Sequence, residues 1–178
     1  MSEPFPVAAI PAGAVPADAV RATATPAGEP AAAGPATVVE LTSTQTHSLR
    51  LAVLRHNVPT KAVVFAEDDM PGAIHLGVTV EGQLVAISSW IPRPYRDAPA
   101  MQLRGMATAH EFQGTGLGGL LLAAGCTRAA GVGHRVIWAR ARDSALGFYE
   151  RHGFVVDGDG FIDAATQLPH HVVLRNIP

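Results

Sequence analysis

The stretch Gln113–Gly119, QGTGLGG, lies between a predicted strand and a predicted helix and contains four glycines. Glycine is unfavourable inside a helix, but it tolerates left-handed backbone and lets a ligand approach the main chain closely. The free N–H groups at the start of a helix, together with the helix dipole, attract phosphate. A strand, a glycine-rich turn and a helix in this order therefore predict a site for a phosphate-bearing ligand.

Strand and helix patterns alternate on both sides of this turn. The order is β-α-β-β-β-α-β-α-β-β, which predicts an α/β (α+β) fold with a mixed sheet and helices on its faces. A turn at Glu81-Gly82 joins two of the strands, and Gly105 marks a bulge or a close backbone approach. The predicted strands are 36–41, the two halves of 73–91, 101–109, 134–141, 154–157 and 170–176, and the predicted helices are 43–56, 114–131 and 143–153.

The first predicted helix opens with capping residues and carries Leu49, Ala52, Val53 and His56 at helical spacing. This spacing predicts the face that the helix turns toward the core.

Composition limits the classes of function. Of 178 residues, 48% are hydrophobic and 16% charged, which is typical of one globular domain. The net charge of −2 and the absence of basic runs argue against a nucleic-acid partner. No apolar run is long enough to span a membrane, and the N-terminus lacks the basic start of a signal peptide. The chain has a single cysteine, Cys126, so an internal disulfide is excluded, and this fits a cytoplasmic protein. Cys126 itself is expected to be a buried packing residue.

Residues 1–36 differ from the rest of the chain. Half of the 14 prolines fall there, among many alanines, with Phe5 as the one aromatic residue. Such a segment buries too little apolar surface to offset the conformational entropy lost on ordering. We therefore expect a disordered tail at 1–36 and a folded domain at 37–178.

Three kinds of phosphate site compete for the glycine-rich turn. Gly114, Gly116 and Gly119 fit the dinucleotide-binding pattern G-x-G-x-x-G, but the next strand ends in Arg140-Ala141 rather than in an acidic residue. A Walker-type loop needs a lysine after its last glycine, and the one lysine of the chain is Lys61. The third kind is the pyrophosphate site of an acyl-CoA-dependent N-acyltransferase.

The motifs resemble those of the GCN5-related N-acetyltransferase (GNAT) superfamily. Gln113–Gly118 matches the family signature Gln/Arg-x-x-Gly-x-Gly/Ala, and the strand LRGMATA precedes it. About 30 residues later, ARDSALGFYERHGF (141–154) is similar to the family's second cofactor-contacting helix and the strand that follows it. The resemblance covers residues 37–177 and implies a mostly antiparallel central sheet of about seven strands.

The resemblance also implies site residues and acetyl-CoA as co-substrate. The backbone of Met106 and Thr108 would hold the pantetheine arm, and Tyr149 would protonate the departing thiolate. Arg142 stands where many relatives carry a cofactor-contacting asparagine, and an arginine there would pair with a phosphate of CoA. The pyrophosphate would lie against the turn itself, namely Gln113, Gly114, Thr115, Gly116, Leu117, Gly118 and Gly119.

Residues for the acceptor amine are less defined. Glu111, His75 and His110 are candidates for the base that deprotonates the amine. Arg104 either binds an acceptor carboxylate or forms a structural ion pair, and Gln102 lies on the same strand. The loop 90–99, with Arg93, Tyr95 and Arg96, either lines the acceptor pocket or is an exposed turn.

No metal site is predicted. His170 and His171 are adjacent on a strand, so they point to opposite faces. The segment DGDGFID (157–163) lacks the closing glutamate of a calcium loop and is predicted to be a turn. The acidic run Glu67-Asp68-Asp69 is predicted to be a solvated loop.

These features predict an N-acetyltransferase that transfers acetyl from acetyl-CoA to a primary amine by direct attack in a ternary complex. The acceptor would be a small molecule or a peptide, and relatives suggest a homodimer. The alternatives are a non-catalytic acyl-CoA-binding regulatory domain and a dinucleotide-binding domain.

Overall fold

The computed structural model describes residues 35–178. The predicted tail, 1–36, lies outside the described residues except for Pro35 and Ala36. The first strand begins at Thr37, where the domain is predicted to start.

In the described part of the chain, seven strands form one sheet in the order β1-β2-β3-β4-β5-β7-β6. Every neighbouring pair is antiparallel except β4–β5, which is parallel. The mixed, mostly antiparallel sheet of the prediction is thereby confirmed. The strands are β1 (Thr37–Leu41), β2 (Ile74–Val80), β3 (Gln83–Pro92), β4 (Met101–Thr108), β5 (Val136–Arg142), β6 (Val155–Ile162) and β7 (Pro169–Asn176).

Within residues 35–178, three helical segments flank the sheet, and a separate 3₁₀ turn (His110–Phe112) follows β4. The first, α1 (44–54), passes from a 3₁₀ turn (Thr44–Thr46) through one α turn (His47–Leu49) into a π-helical stretch (Arg50–Leu54). The second, α2 (Leu117–Gly131), is the longest helix. The third, α3 (143–151), begins as a 3₁₀ turn (Asp143–Ala145) and continues as an α-helix (Leu146–Arg151).

Helices α1 and α2 lie on opposite faces of the sheet, as two neighbouring residues of β3 show. The Trp90 indole packs on α2 so closely that a Cβ on Gly125 would lie 1.8 Å from the ring. Ser89 points the other way and accepts a hydrogen bond of 2.7 Å from Arg50 of α1. The main apolar core fills the α2 side, where Leu76, Trp90, Leu103, Leu121, Ile137, Tyr149 and Phe154 are buried.

The buried residues of α1 differ from the predicted ones. Ala52 and His56 are exposed, whereas Arg50 is 0% exposed. The predicted face was wrong because Asp68 neutralises Arg50 with two hydrogen bonds, of 2.6 and 2.9 Å. A buried charge with such a partner takes the place of an apolar side chain.

Strands β4 and β5 pair only at their beginnings and then separate. Their parallel register runs from Met101↔Ile137 to Leu103↔Ala139 and stops there. Just beyond, Gly105 has φ +59° and the pairing of β4 with β3 shifts register. The predicted bulge at Gly105 is confirmed, and the rest of β4, through Thr108, has an edge that β5 does not cover.

Strand β6 is longer than predicted. The segment 157–163, predicted to be a turn, lies mostly within β6. The pairing with β7 shifts between Asp157 and Phe161, so extra residues are accommodated inside the strand. Gly158, at φ +79°, allows this irregularity, and the prediction of a turn was wrong for that reason.

Candidate active site

The glycine loop, residues 113–119, connects β4 to α2 and contains glycines of two kinds. Gly114 and Gly116 have φ of +80° and +88°, and a Cβ on either would meet nothing within 4 Å. These two glycines are needed for their left-handed backbone, and open space lies in front of them.

Gly118 and Gly119 are needed for close packing instead. A Cβ on Gly118 would lie 3.1 Å from the Phe148 ring and 3.3 Å from the Met106 methyl group. A Cβ on Gly119 would lie 2.7 Å from Nε2 of His152. The first turn of α2 can therefore approach α3 closely, and this places the glycine loop beside Tyr149's helix.

Within the described residues, the backbone amides of the glycine loop after Gln113 are free. Those of residues 114–119 donate no hydrogen bond of normal geometry to any acceptor within residues 35–178. The first amide of α2 to find an acceptor is that of Leu120, which donates to the Gly116 carbonyl at 3.1 Å. A run of free amides at the positive end of a 15-residue helix is suited to a pyrophosphate.

Two side chains hold the loop in place. Gln113 donates from Nε2 to the Thr108 carbonyl at 3.0 Å, and Thr115 donates from Oγ1 to the Phe112 carbonyl at 2.6 Å. Gln113 thus ties the loop to Thr108 at the end of β4, and Thr115 ties it to the 3₁₀ turn His110–Phe112 that precedes it.

Met106 and Thr108 lie in the part of β4 that β5 does not cover. On the other edge of the strand, Thr108 pairs with Ala86 of β3. The edge toward β5 is open from Arg104 onward, as an extended ligand arm would require for strand-like pairing.

Tyr149 is 8% exposed and lies in the core beneath the loop. Its ring packs edge-on against Phe148 and Phe154, at centroid distances of 5.2 and 5.3 Å. Its hydroxyl makes no hydrogen bond to any group within residues 35–178. Burial raises the pKa of Tyr149 to about 12, so the hydroxyl keeps its proton at neutral pH.

Arg142 is not directed toward the glycine loop. It donates from Nη2 to the carbonyl of Leu54, the last residue of α1, at 2.6 Å. Helix α1 lies on the face opposite α2, so the guanidinium is on the other side of the sheet from the free amides.

The three candidate bases differ in their surroundings. His75 is buried, with Nδ1 2.8 Å from Ser89 Oγ and Nε2 2.8 Å from the Asp68 carbonyl. Both of its ring nitrogens are therefore engaged. His110 and Glu111 are exposed in the turn before the glycine loop.

The acidic run is not the solvated loop of the prediction. Asp68 is 3% exposed and bound to Arg50. Glu67 lies 2.6 Å from Arg104 and 3.0 Å from Arg93. Burial alone would raise the pKa of Glu67, but the two arginines outweigh it and the pKa is lowered. The prediction was wrong because these basic partners, distant in sequence, converge on the run.

Arg104 therefore forms a structural ion pair with Glu67, which was one of the two roles predicted for it. Its guanidinium also lies 4.1 Å from the centre of the Phe65 ring, and Arg50 lies 4.1 Å from the same ring. Gln102 is 4% exposed and accepts a hydrogen bond of 3.2 Å from Arg93. No sequence signal indicates Phe65, since an isolated aromatic residue in an irregular segment has no pattern.

The loop 90–99 is attached to the second half of the sheet. Tyr95 and Arg96 both donate to Asp157 of β6. Trp138 of β5 donates to the Arg93 carbonyl at 3.0 Å. These contacts hold the loop 90–99 against β5 and β6.

Within residues 35–178, no group of three or more His, Cys, Asp or Glu is placed to hold a metal ion. No helix in the same range has the length and apolarity needed to cross a membrane.

Comparison with known proteins identifies the family. A family model described as "Acetyltransferase (GNAT) domain" matches residues 60–156. The uncharacterized N-acetyltransferase YitI of Bacillus subtilis (strain 168) is 29% identical over 127 residues, which are 70% of this chain and 85% of YitI.

Solved structures share the fold. Escherichia coli ElaA superposes with a TM-score of 0.66 at 16% identity, over 79% of this chain and 99% of ElaA. An aminoglycoside 6'-N-acetyltransferase complexed with coenzyme A superposes with a TM-score of 0.62 at 16% identity, over 80% of this chain and 98% of that protein. The match to the GNAT family model argues against the alternative that the chain is a dinucleotide-binding domain. The chain belongs to the GNAT acetyltransferase family.

Proposed function

We propose that this protein transfers an acetyl group from acetyl-CoA to a primary amine, by direct attack of the amine in a ternary complex. The observation that carries the proposal is the run of free amides at residues 114–119, next to the uncovered edge of β4. The family and the CoA complex of one structural neighbour support the choice of acetyl-CoA as the co-substrate.

The chain's own residues divide the work of binding. The free amides and Gln113 would hold the pyrophosphate, which fits the open space before Gly114 and Gly116. The backbone of Met106 and Thr108 would hold the pantetheine arm along β4. Acetyl-CoA supplies the activated acetyl group as a thioester.

Transfer requires a neutral amine and a stabilised leaving group. The amine nitrogen forms a bond to the thioester carbonyl carbon and loses one proton to solvent or a nearby base, and the carbon–sulfur bond breaks to leave an amide and a thiolate. Tyr149 would donate its hydroxyl proton, as a hydrogen bond or by transfer, to the sulfur. Its raised pKa keeps the hydroxyl protonated at neutral pH, so it is available to donate a hydrogen bond to the sulfur, and a tyrosine that transferred its proton would regain one from solvent.

Direct attack is favoured over an acyl-cysteine route. Cys126 lies ten residues beyond Gly116 in α2, roughly 15 Å along the helix. Burial raises the pKa of its thiol, which leaves little of the nucleophilic thiolate at neutral pH.

The proposal is tested by following thiol release from acetyl-CoA while a panel of primary amines is supplied to the purified full-length protein. Amine-dependent release with formation of the N-acetylated product supports an acetyltransferase. Binding of acetyl-CoA without release for every amine class would instead favour a non-catalytic acyl-CoA-binding domain.

A further inference from the structure

Two arginines meet at the end of α1, and we call them the arginine pair: Arg55 and Arg142. Arg142 donates to the Leu54 carbonyl at 2.6 Å, and Arg55 donates to the same oxygen at 3.3 Å. Arg55 also donates to the Ala62 carbonyl at 2.6 Å. Arg55 is 8% exposed and Arg142 is half-buried, so both cations have lost much of their hydration.

The arginine pair has no anionic partner within residues 35–178, since neither member comes within 4.0 Å of a carboxylate oxygen there. Other buried or half-buried arginines of this face do have one. Arg50 is bound to Asp68, and Arg104 to Glu67.

The carboxylate whose charge acts on both members is that of Asp163, and it is engaged elsewhere. Its Oδ1 accepts hydrogen bonds from the Thr166 amide and hydroxyl. Its Oδ2 lies 3.6 Å from Arg140. The charge of the arginine pair is thus left largely uncompensated.

Capping of α1 does not account for two cations. The carbonyl end of a helix carries roughly half a negative charge, whereas the pair carries two positive charges. Burial lowers the pKa of Arg55, and the neighbouring Arg142 lowers it further. A bound anion would offset the repulsion between two like charges that are partly removed from water.

The position of the arginine pair separates it from the cofactor phosphates. Ala139 and Ala141 of β5 point into the core on the α2 side. Arg142, the next residue, points to the α1 side, where it reaches Leu54. The free amides of the glycine loop belong to α2 on the other face. The pair therefore lies across the β4–β5 opening from the predicted phosphate site.

We propose that the acceptor amine carries a carboxylate and that the arginine pair binds this carboxylate on the α1 side of the β4–β5 opening. The proposal rests on the acetyltransferase function above and names the substrate class: amino acids and other amines with a carboxylate. Guanidinium groups bind carboxylates through charge-assisted hydrogen bonds, which fix the orientation of the acceptor as well as its affinity.

The test compares α- and ω-amino acids with the corresponding amino-acid amides as acceptors for the full-length protein. The two series share the amine and differ in the charge of the other group. The variants are Arg142→Gln, Arg142→Lys and the control Arg135→Gln. Arg135 suits as a control because it also donates to a carbonyl at the end of a helix, that of Ala130 in α2, and is exposed.

The measured quantity is the ratio of kcat/KM for each amino acid to that of its amide. We expect the wild type to prefer the carboxylate form. We expect Arg142→Gln to reduce the ratio at least about tenfold, Arg142→Lys to retain most of it, and Arg135→Gln to leave it unchanged. Because ratios are compared between variants on the same compounds, differences in amine basicity cancel.

Four results would overturn the inference. One is a ratio for Arg142→Gln equal to that of the wild type. Another is an equal fall for Arg142→Gln and Arg135→Gln. The third is weaker binding of CoA, but not of dephospho-CoA, by Arg142→Gln, which would assign the anion to the cofactor's phosphate. If acetyl-CoA binds but neither series is acetylated, the carboxylate inference is wrong. If acetyl-CoA does not bind, the proposed function itself is wrong.

Discussion

Gly105 of β4 lies directly against Arg50 of α1: a Cβ on Gly105 would be 3.0 Å from the Arg50 Nε atom. That Nε atom is buried and has no hydrogen-bond partner within the described residues, although the rest of the guanidinium is fully bonded. Gly105 belongs to the bulge at which β4 separates from β5, and Arg50 is the buried charge of α1. The contact therefore connects these two features. The shape of the opening and the stability of α1 are therefore linked.

Replacing Gly105 with alanine should lower the free energy of unfolding by about 2–4 kcal/mol. The positive φ of Gly105 costs an alanine about 1–2 kcal/mol, and the approach to Arg50 and Phe65 adds to it. Urea unfolding measures the change. Gly82→Ala is the matched control, since Gly82 has φ +80° with nothing within 4 Å of a Cβ. Equal losses for the two variants would show that the contact with Arg50 contributes nothing.

Tyr149→Phe should reduce kcat by about 100-fold and leave the free energy of unfolding within about 0.5 kcal/mol of the wild type. The hydroxyl makes no hydrogen bond to the described residues, so its removal costs the fold little. Steady-state kinetics measure the change in kcat, and urea unfolding measures the change in the free energy of unfolding. Tyr95→Phe is the control: its hydroxyl donates to Asp157, away from the glycine loop. Unchanged kcat in a folded Tyr149→Phe protein would remove the tyrosine from the mechanism.

Gly116→Asp should weaken acetyl-CoA binding at least about 100-fold, because it adds negative charge and a side chain where the free amides are expected to hold pyrophosphate. Titration calorimetry measures the affinity. Gly133→Asp is matched closely, since Gly133 has φ +91° and the same open surroundings beyond the other end of α2. The backbone strain is thus similar, and retention of affinity in both variants would contradict the predicted phosphate site.

Asp68→Asn should destabilise the protein by about 3–5 kcal/mol at neutral pH, because it leaves the Arg50 charge buried without its partner. Burial raises the pKa of Asp68, but hydrogen bonds from Arg50 and Phe65 outweigh it, and the pKa falls below its usual 3.8. The stabilisation is therefore present above that pH and lost as the pH falls further.

The difference between wild type and Asp68→Asn should shrink accordingly when unfolding is measured below pH 4. Asp69→Asn serves as the control, since Asp69 is exposed and accepts only the Ser43 hydroxyl within the described residues. A difference that does not depend on pH would show that the carboxylate charge is not what stabilises Arg50.

The sheet, the bulge and the glycine loop could be predicted because each has a local signal. Alternating apolar residues mark the strands, and Gly105, Gly114 and Gly116 stand where the backbone takes a positive φ. The sequence does not distinguish these glycines from Gly118, which is a glycine because Phe148, 30 residues away in the chain, packs against it. The positions of the glycines in the sequence therefore do not show which of them serve a positive φ and which serve close packing.

The polar side of the site could not be predicted, because its partners are distant in the chain. Nothing near Arg50 in sequence indicates that Asp68 will neutralise it, so an apolar pattern assigns the wrong face to α1. Arg142 likewise meets Leu54 across 88 residues. Charges that pair through the fold carry no periodic signal, and the arginine pair is visible only in three dimensions.

The most direct test of the acetyltransferase assignment is a calorimetric titration of the full-length protein with acetyl-CoA, with NADH titrated in parallel. The free amides of the glycine loop predict one-to-one binding of acetyl-CoA, and the uncovered edge of β4, suited to a pantetheine arm that NADH lacks, predicts no heat from NADH. Absence of acetyl-CoA binding, or an equal affinity for NADH, would contradict the account.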